Sequence, residues 1–119
     1  MSVSKQFLID FNEAWAREDK AAILAAVTDD IQFRMAGEED INGKEAFAAV
    51  LEEMAGTGQE FTLTINRVII SAEDTAAVEG EMTLVDEDGE PVVFMFCDVY
   101  GLRDGKIAEL KAFVVEKEE

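Results

Sequence analysis

Asp98 is the residue least in keeping with its neighbours. It lies in FMFCDVYG, residues 94–101, the most aromatic stretch of the chain. Strand alternation puts Phe94, Phe96, Asp98 and Tyr100 on one face and Val93, Met95, Cys97 and Val99 on the other. Both faces are apolar, so the strand is expected to be covered on both sides. A carboxyl group held there cannot turn to water. Desolvation disfavours its charged form and raises its pKa from about 3.9, by up to about 3–5 pH units when burial is complete. A modest rise makes Asp98 a proton shuttle near neutral pH, and a large rise makes it a permanent hydrogen-bond donor. Either suits a reaction that passes through an enolate. The structural alternative is that Asp98 bonds backbone amides or the Tyr100 hydroxyl, or pairs with Arg34, Arg67 or Arg103, and stays ionised.

Other chemistries are excluded by what the chain lacks. There is no histidine in its 119 residues, which removes Ser-His-Asp and Cys-His arrangements and most zinc sites. The one cysteine, Cys97, makes no intramolecular disulfide and reads as a small core residue of the strand. DEDG at 86–89 lacks the later glutamate and the flanking helices of a calcium loop, so it reads as a solvated hairpin turn. No metal and no cofactor are therefore expected. Carboxylates, hydroxyls or lysines must carry any reaction.

The formal charge is −17, with 27 acids against 10 bases. Such a surface repels phosphate backbones and anionic lipid heads, so nucleic acid and membrane partners are not expected. Hydrophobic residues make up 49% of the chain, enough to build one core in a single domain over 1–119. No stretch approaches the length of a membrane span. No basic start leads into an apolar run, so no signal peptide is read and a cytoplasmic location is expected.

The elements that must hold Asp98 follow from periodicity. In residues 2–19, Phe7, Leu8, Phe11, Ala14 and Trp15 recur at helical spacing, with Ser2 or Ser4 as cap. Residues 19–30 continue as a second helix with Asp19 as cap and Ile23, Leu24 and Val27 on its apolar side. IQFRMAG at 31–37 is a short strand, with Ile31, Phe33 and Met35 facing one way and Gln32 and Arg34 the other. A third helix spans 44–58 with Phe47, Val50, Leu51 and Met54 on its buried side, ending at Gly56 or Gly58. From residue 60 the texture is β-branched, giving strands at 60–71, two around the acidic hairpin within 76–102, and a last one at 106–115. On that last strand Ala108, Leu110, Ala112 and Val114 share one face, and Glu109, Lys111 and Phe113 the other. Helices first and strands second indicate an α+β fold with a mostly antiparallel sheet.

Four segments carry a family resemblance: F-N-E-A-W-A-R-E-D-K at 11–20, V-T-D-D-I-Q-F at 27–33, I-N-G-K-E-A-F at 41–47 and D-V-Y-G-L-R-D-G-K-I at 98–107. In this order the chain resembles the SnoaL-like polyketide cyclase and ketosteroid isomerase superfamily, also called nuclear transport factor 2-like, over nearly its whole length. The resemblance implies a cystatin-like cone, in which a strongly curved sheet wraps three N-terminal helices around an apolar hollow. It implies a homodimer through the outer sheet face, which Phe113, sharing a face with Glu109 and Lys111, supports. Asp98 falls where isomerases of the family keep a neutral acid and where cyclases keep an acid/base aspartate. The isomerase oxyanion tyrosine lands on Phe11 and the isomerase general base on Met35, neither of which can serve. A one-acid site of the cyclase kind remains. The residues expected to line the hollow are Phe11, Trp15, Phe33, Met35, Met54, Met82, Phe94, Phe96, Tyr100, Leu110, Ala112 and Val114; the alternative is that they fill it as ordinary core. Trp15 is placed to meet Asp98 through its indole N–H. Ala108 and Ala112, read as inward, leave space there. Two functions stay open: a cofactor-free isomerase, cyclase or dehydratase acting on a hydrophobic small molecule through Asp98, or a non-catalytic dimeric module for ligand or protein binding.

Overall fold

Ser4 starts the first helix by accepting a hydrogen bond from the Phe7 backbone N–H at 3.1 Å. The structure, a computed structural model, describes residues 4–55, 61–71, 74–85 and 88–117. Helix α1, Lys5–Ala16, buries Leu8, Phe11, Asn12 and Ala14. Glu18 then takes a left-handed φ of 57°, and the turn delivers Asp19, whose carboxylate caps α2, Lys20–Ala25, by accepting from the Ala22 N–H.

The second helix is shorter than its periodicity suggests. It stops at Ala25, and strand β1 begins at Val27 rather than at Ile31. The Ile107 N–H donates to the Ala26 carbonyl at 2.9 Å, and Val27 pairs with Ile107, so sheet pairing overrides the helical stripe through Val27. Strand β1, Val27–Met35, runs parallel to the last strand. The remaining elements are β2 (Ile41–Asn42), α3 (Lys44–Ala55), β3 (Phe61–Ser71), β4 (Thr75–Val85), β5 (Pro91–Arg103) and β6 (Lys106–Glu116). The sheet order is β2-β1-β6-β5-β4-β3, with β1–β6 its parallel pair and the other pairs antiparallel. This is an α+β cone of three helices and a curved, unclosed mixed sheet.

Irregularities curve the sheet. Pairing shifts between Ile65 and Arg67 on β3 and between Gly101 and Leu102 on β5. At Gly80 a Cβ would stand 2.2 Å from the Thr64 carbonyl oxygen and 2.9 Å from the Phe96 ring, so a bare backbone is required there. Asp104 and Gly105 both take left-handed φ (54° and 78°) and close the β5–β6 hairpin as a type I′ turn would.

The Gly101/Leu102 shift corrects one expectation. Gly101 pairs with Glu109 and Leu102 with Ile107, so Ala108 is the extra residue of a bulge. Ile107 takes the buried place, and Ala108 lines a polar depression with Gln32, Arg103 and Glu109 instead of facing the helices.

The core lies between the helices and the concave face, where Leu8, Phe11, Ile23, Phe47 and Leu51 meet Ile31, Val78, Tyr100, Ile107 and Leu110. Among the described residues nothing covers the convex face of β5 and β6: Met95 is 47% exposed, Phe113 40% and Val115 61%. Cys97 lies half-buried on that face rather than in the core, and burial, with the Asp98 and Glu79 carboxylates, pushes its thiol pKa up. No helix among the described residues is long and apolar enough to cross a membrane.

Candidate functional site

The concave face leaves a cavity of about 350 Å³. Trp15 of α1, Ile23 of α2 and Leu51 of α3 form the helical side. Phe33 and Met35 of β1, Leu110, Ala112 and Val114 of β6, Phe96 of β5, Met82 and Leu84 of β4 and Leu63 of β3 form the sheet side. The polar residues on the wall are Asn12, Asp98, Glu18 and Lys20. Glu18 is exposed and Lys20 is ion-paired to Glu52, so these two mark the side on which the cavity meets water.

Asp98 is held mid-strand, opposite Val78 on β4 and Ala112 on β6. Its carboxyl accepts one hydrogen bond, from the Tyr100 hydroxyl at 3.4 Å. No cation reaches it among the described residues. Arg34 lies within ion-pair reach of Asp40 (3.5 Å) and Glu109 (3.7 Å), and Arg103 is engaged by Asp30. Arg67 is exposed on β3. Burial therefore pushes the Asp98 pKa from 3.8 up to about 7, against a smaller downward pull from the Tyr100 hydroxyl. Burial also drives the Tyr100 pKa well above its ordinary value of 10.0, with the Asp98 charge adding to the rise.

Asn12 completes the polar group. Its side-chain nitrogen donates to the Leu8 carbonyl at 2.8 Å and to the Tyr100 hydroxyl at 3.0 Å. It was legible as a polar residue on the apolar stripe Leu8–Asn12–Trp15, a pattern that signals a partner across the fold. The apolar lining residues not expected from the sequence, Ile23, Leu51, Leu63 and Leu84, are ordinary positions with no distinguishing signal, and Glu18 and Lys20 were likewise not expected.

Residues 8–110 match the sequence model of the SnoaL-like domain. The chain belongs to the SnoaL-like family. No curated protein matches the SnoaL-like chain in sequence. Solved structures share its fold. A nuclear transport factor 2-like protein of unknown function from Burkholderia pseudomallei superposes with a TM-score of 0.80 at 19% identity, covering 94% of this chain and 90% of the other. An LEH-like epoxide hydrolase from M. tuberculosis gives 0.77 at 24% identity, over 92% and 80%. A ketosteroid isomerase-like protein from Erwinia carotovora atroseptica gives 0.73 at 21% identity, over 97% and 95%.

Within this SnoaL-like chain the expected residues fall into distinct groups. Trp15, Phe33, Met35, Met82, Phe96, Leu110, Ala112 and Val114 lie on the cavity wall with Asp98. Phe11 and Tyr100 sit behind it, packed edge to face at 6.1 Å, so they support the wall rather than form it. Phe94 is half-buried near the start of β5, paired with Met82 and Glu116, and does not line the cavity. The Met54 side chain lies outside the described residues, as do Gly56 and Gly58. Trp15 does not bond Asp98; its ring packs against Phe11, Phe33 and Phe47 at 6.0–6.4 Å, and Tyr100 takes the place at the carboxyl. Asp98 shares the cavity wall with two other ionisable residues, Glu18 and Lys20, which lie on the side open to water.

Proposed function

We propose that this SnoaL-like protein binds a hydrophobic small molecule in the concave cavity and uses Asp98 as its single acid/base, in an isomerase, cyclase or dehydratase step at a carbonyl. The observation that carries the reading is a half-buried carboxyl, met by no cation among the described residues, on the wall of about 350 Å³ of mostly apolar space. Ionised Asp98 removes the α-proton of the bound carbonyl compound and, now protonated, returns that proton to a neighbouring carbon of the enolate, so the proton balances within one turnover. With a pKa of about 7 both forms are populated at neutral pH. The chain's own residues hold the proton, so no cofactor enters this scheme.

A second reading has its own support. Phe11 and Met35 leave Asp98 without an acid-base partner, which suits a carrier as well as a catalyst. The exposed Met95, Val99, Phe113 and Val115 on the convex face fit a second copy of the chain, so both readings include a homodimer. A thermal-shift screen of hydrophobic carbonyl compounds, followed by turnover assays of the binders on wild type and Asp98→Asn, separates them. Turnover lost in a folded Asp98→Asn protein that still binds marks a catalytic acid. Binding without turnover in wild type marks a carrier, and no binding in either removes the ligand from both.

A further inference from the structure

We propose that Asn12 and Tyr100 form a hydrogen-bond relay of fixed polarity that positions the Asp98 carboxyl and leaves its Oδ1 as the oxygen offered to a ligand. The ligand rests on the function proposed above; the relay itself does not.

The polarity follows from one group that can only accept. The Leu8 carbonyl has no proton to give, so the Asn12 side chain must present its nitrogen, 2.8 Å away, and not its oxygen. The same nitrogen stands 3.0 Å from the Tyr100 hydroxyl and donates its second proton there. The hydroxyl oxygen is thereby used as an acceptor, and its own proton turns to the acceptor within reach, Asp98 Oδ2 at 3.4 Å. That last separation is at the long end for an O–H···O bond, so the relay controls direction more than strength. Donation runs outward from the Asn12 nitrogen, back to the Leu8 carbonyl and onward through the Tyr100 hydroxyl to the β5 carboxyl. With Oδ2 already accepting, the proton of neutral Asp98 sits on Oδ1, which has no protein partner among the described residues.

Burial makes this arrangement hard to explain as surface decoration. Tyr100 is fully buried and Asn12 is 5% exposed, both among apolar side chains. Polar groups in such a place need partners with defined directions. Few other charges bear on the carboxyl. Val78 on β4 and Ala112 on β6 flank it and carry none; Leu51 from α3 is apolar; Glu18 in the α1–α2 turn and Lys20 at the start of α2 line the cavity; Cys97 and Glu79 lie on neighbouring positions facing the other side of the sheet.

The test is a titration of the Asp98 side-chain carboxyl carbon by NMR in the full chain, in wild type, Tyr100→Phe, Asn12→Leu and Asn12→Asp. Tyr100→Phe deletes the one donor to the ionised form, so the Asp98 midpoint is expected to rise by about half to one pH unit. Asn12→Leu releases the hydroxyl to rotate, with a smaller rise. Asn12→Asp replaces a donor by an acceptor, draws the Tyr100 proton away and adds a charge, so its midpoint rises furthest. A purely structural role lowers melting temperatures and leaves the midpoints alone. Midpoints within about 0.2 pH units of wild type in folded Tyr100→Phe and Asn12→Asp overturn the relay. If Asn12→Asp does not fold, Tyr100→Phe, which loses a single oxygen, decides alone. The relay is read from differences between variants; the functional reading is tested by the wild-type midpoint and the ligand screen. A wild-type midpoint near the ordinary ~4 would end the functional reading whichever way the relay falls.

Discussion

Replacing Asp98 by asparagine should remove a pH dependence of stability that wild type shows between about pH 4 and 8. In the unfolded chain the carboxyl gives up its proton near 3.8, and in the folded chain near 7. Below the lower value both states are protonated and the group does not discriminate. Between the two, the folded state holds a proton that the unfolded state has lost, so each rise in pH weakens the fold. Above the higher value both are ionised, and the full cost of a buried charge is present. The interval is about three pH units at about 1.4 kcal/mol each, roughly 4 kcal/mol; relaxation and entering water bring the expected figure to about 2–4 kcal/mol. Asparagine has nearly the same shape, does not titrate, and still accepts from the Tyr100 hydroxyl through its carbonyl oxygen. The remaining acids are common to both proteins, so their growing mutual repulsion cancels in the comparison. Urea unfolding of both proteins at half-unit steps of pH measures the difference. The variant should gain on wild type steadily from pH 4 and level off above 8. Parallel curves across that range would show an Asp98 that ionises normally, and the buried-acid argument would fail.

Three further substitutions probe other links. Gly80→Ala puts a Cβ against the Thr64 carbonyl, a backbone atom that cannot step aside, so a loss of about 2–4 kcal/mol and a fall in Tm of roughly 10 °C are expected; a fall of only a few degrees would mean that the strands do not approach as described. Ala112→Phe places a ring in the cavity directly across from Asp98, so ligands found by thermal shift should lose their effect while the melting temperature stays within a few degrees; retained binding would place the ligand elsewhere. Phe113→Glu adds a charge to the exposed convex face and should abolish the proposed dimer in sedimentation. A monomeric wild type would dispose of the proposed interface.

Local pattern carried the sequence reading where a single period ran unbroken. From Phe94 to Tyr100 strand alternation is regular, so the two faces of β5 follow from residue types alone; because both are apolar, the inward setting of Asp98 needed the family resemblance as well. It failed where pairing changed the count. Ala108 belongs to a bulge whose cause lies on the partner strand at Gly101 and Leu102, and no alternation within 106–115 reveals it. Likewise Val27 fits a helical stripe and a strand equally well, and only Ile107, 80 positions later, decides between them. Asn12 shows the same limit in sharper form. Its place on an apolar stripe announces an unmet need for a partner, yet the partner is Tyr100, 88 residues away. A carboxyl, a phenol and an amide that are unremarkable one at a time become a directed set because a curved sheet and a helix meet at that point. The candidate chemistry of this chain is therefore a property of the junction between α1 and β5, and perturbing either side of it should be read at Asp98.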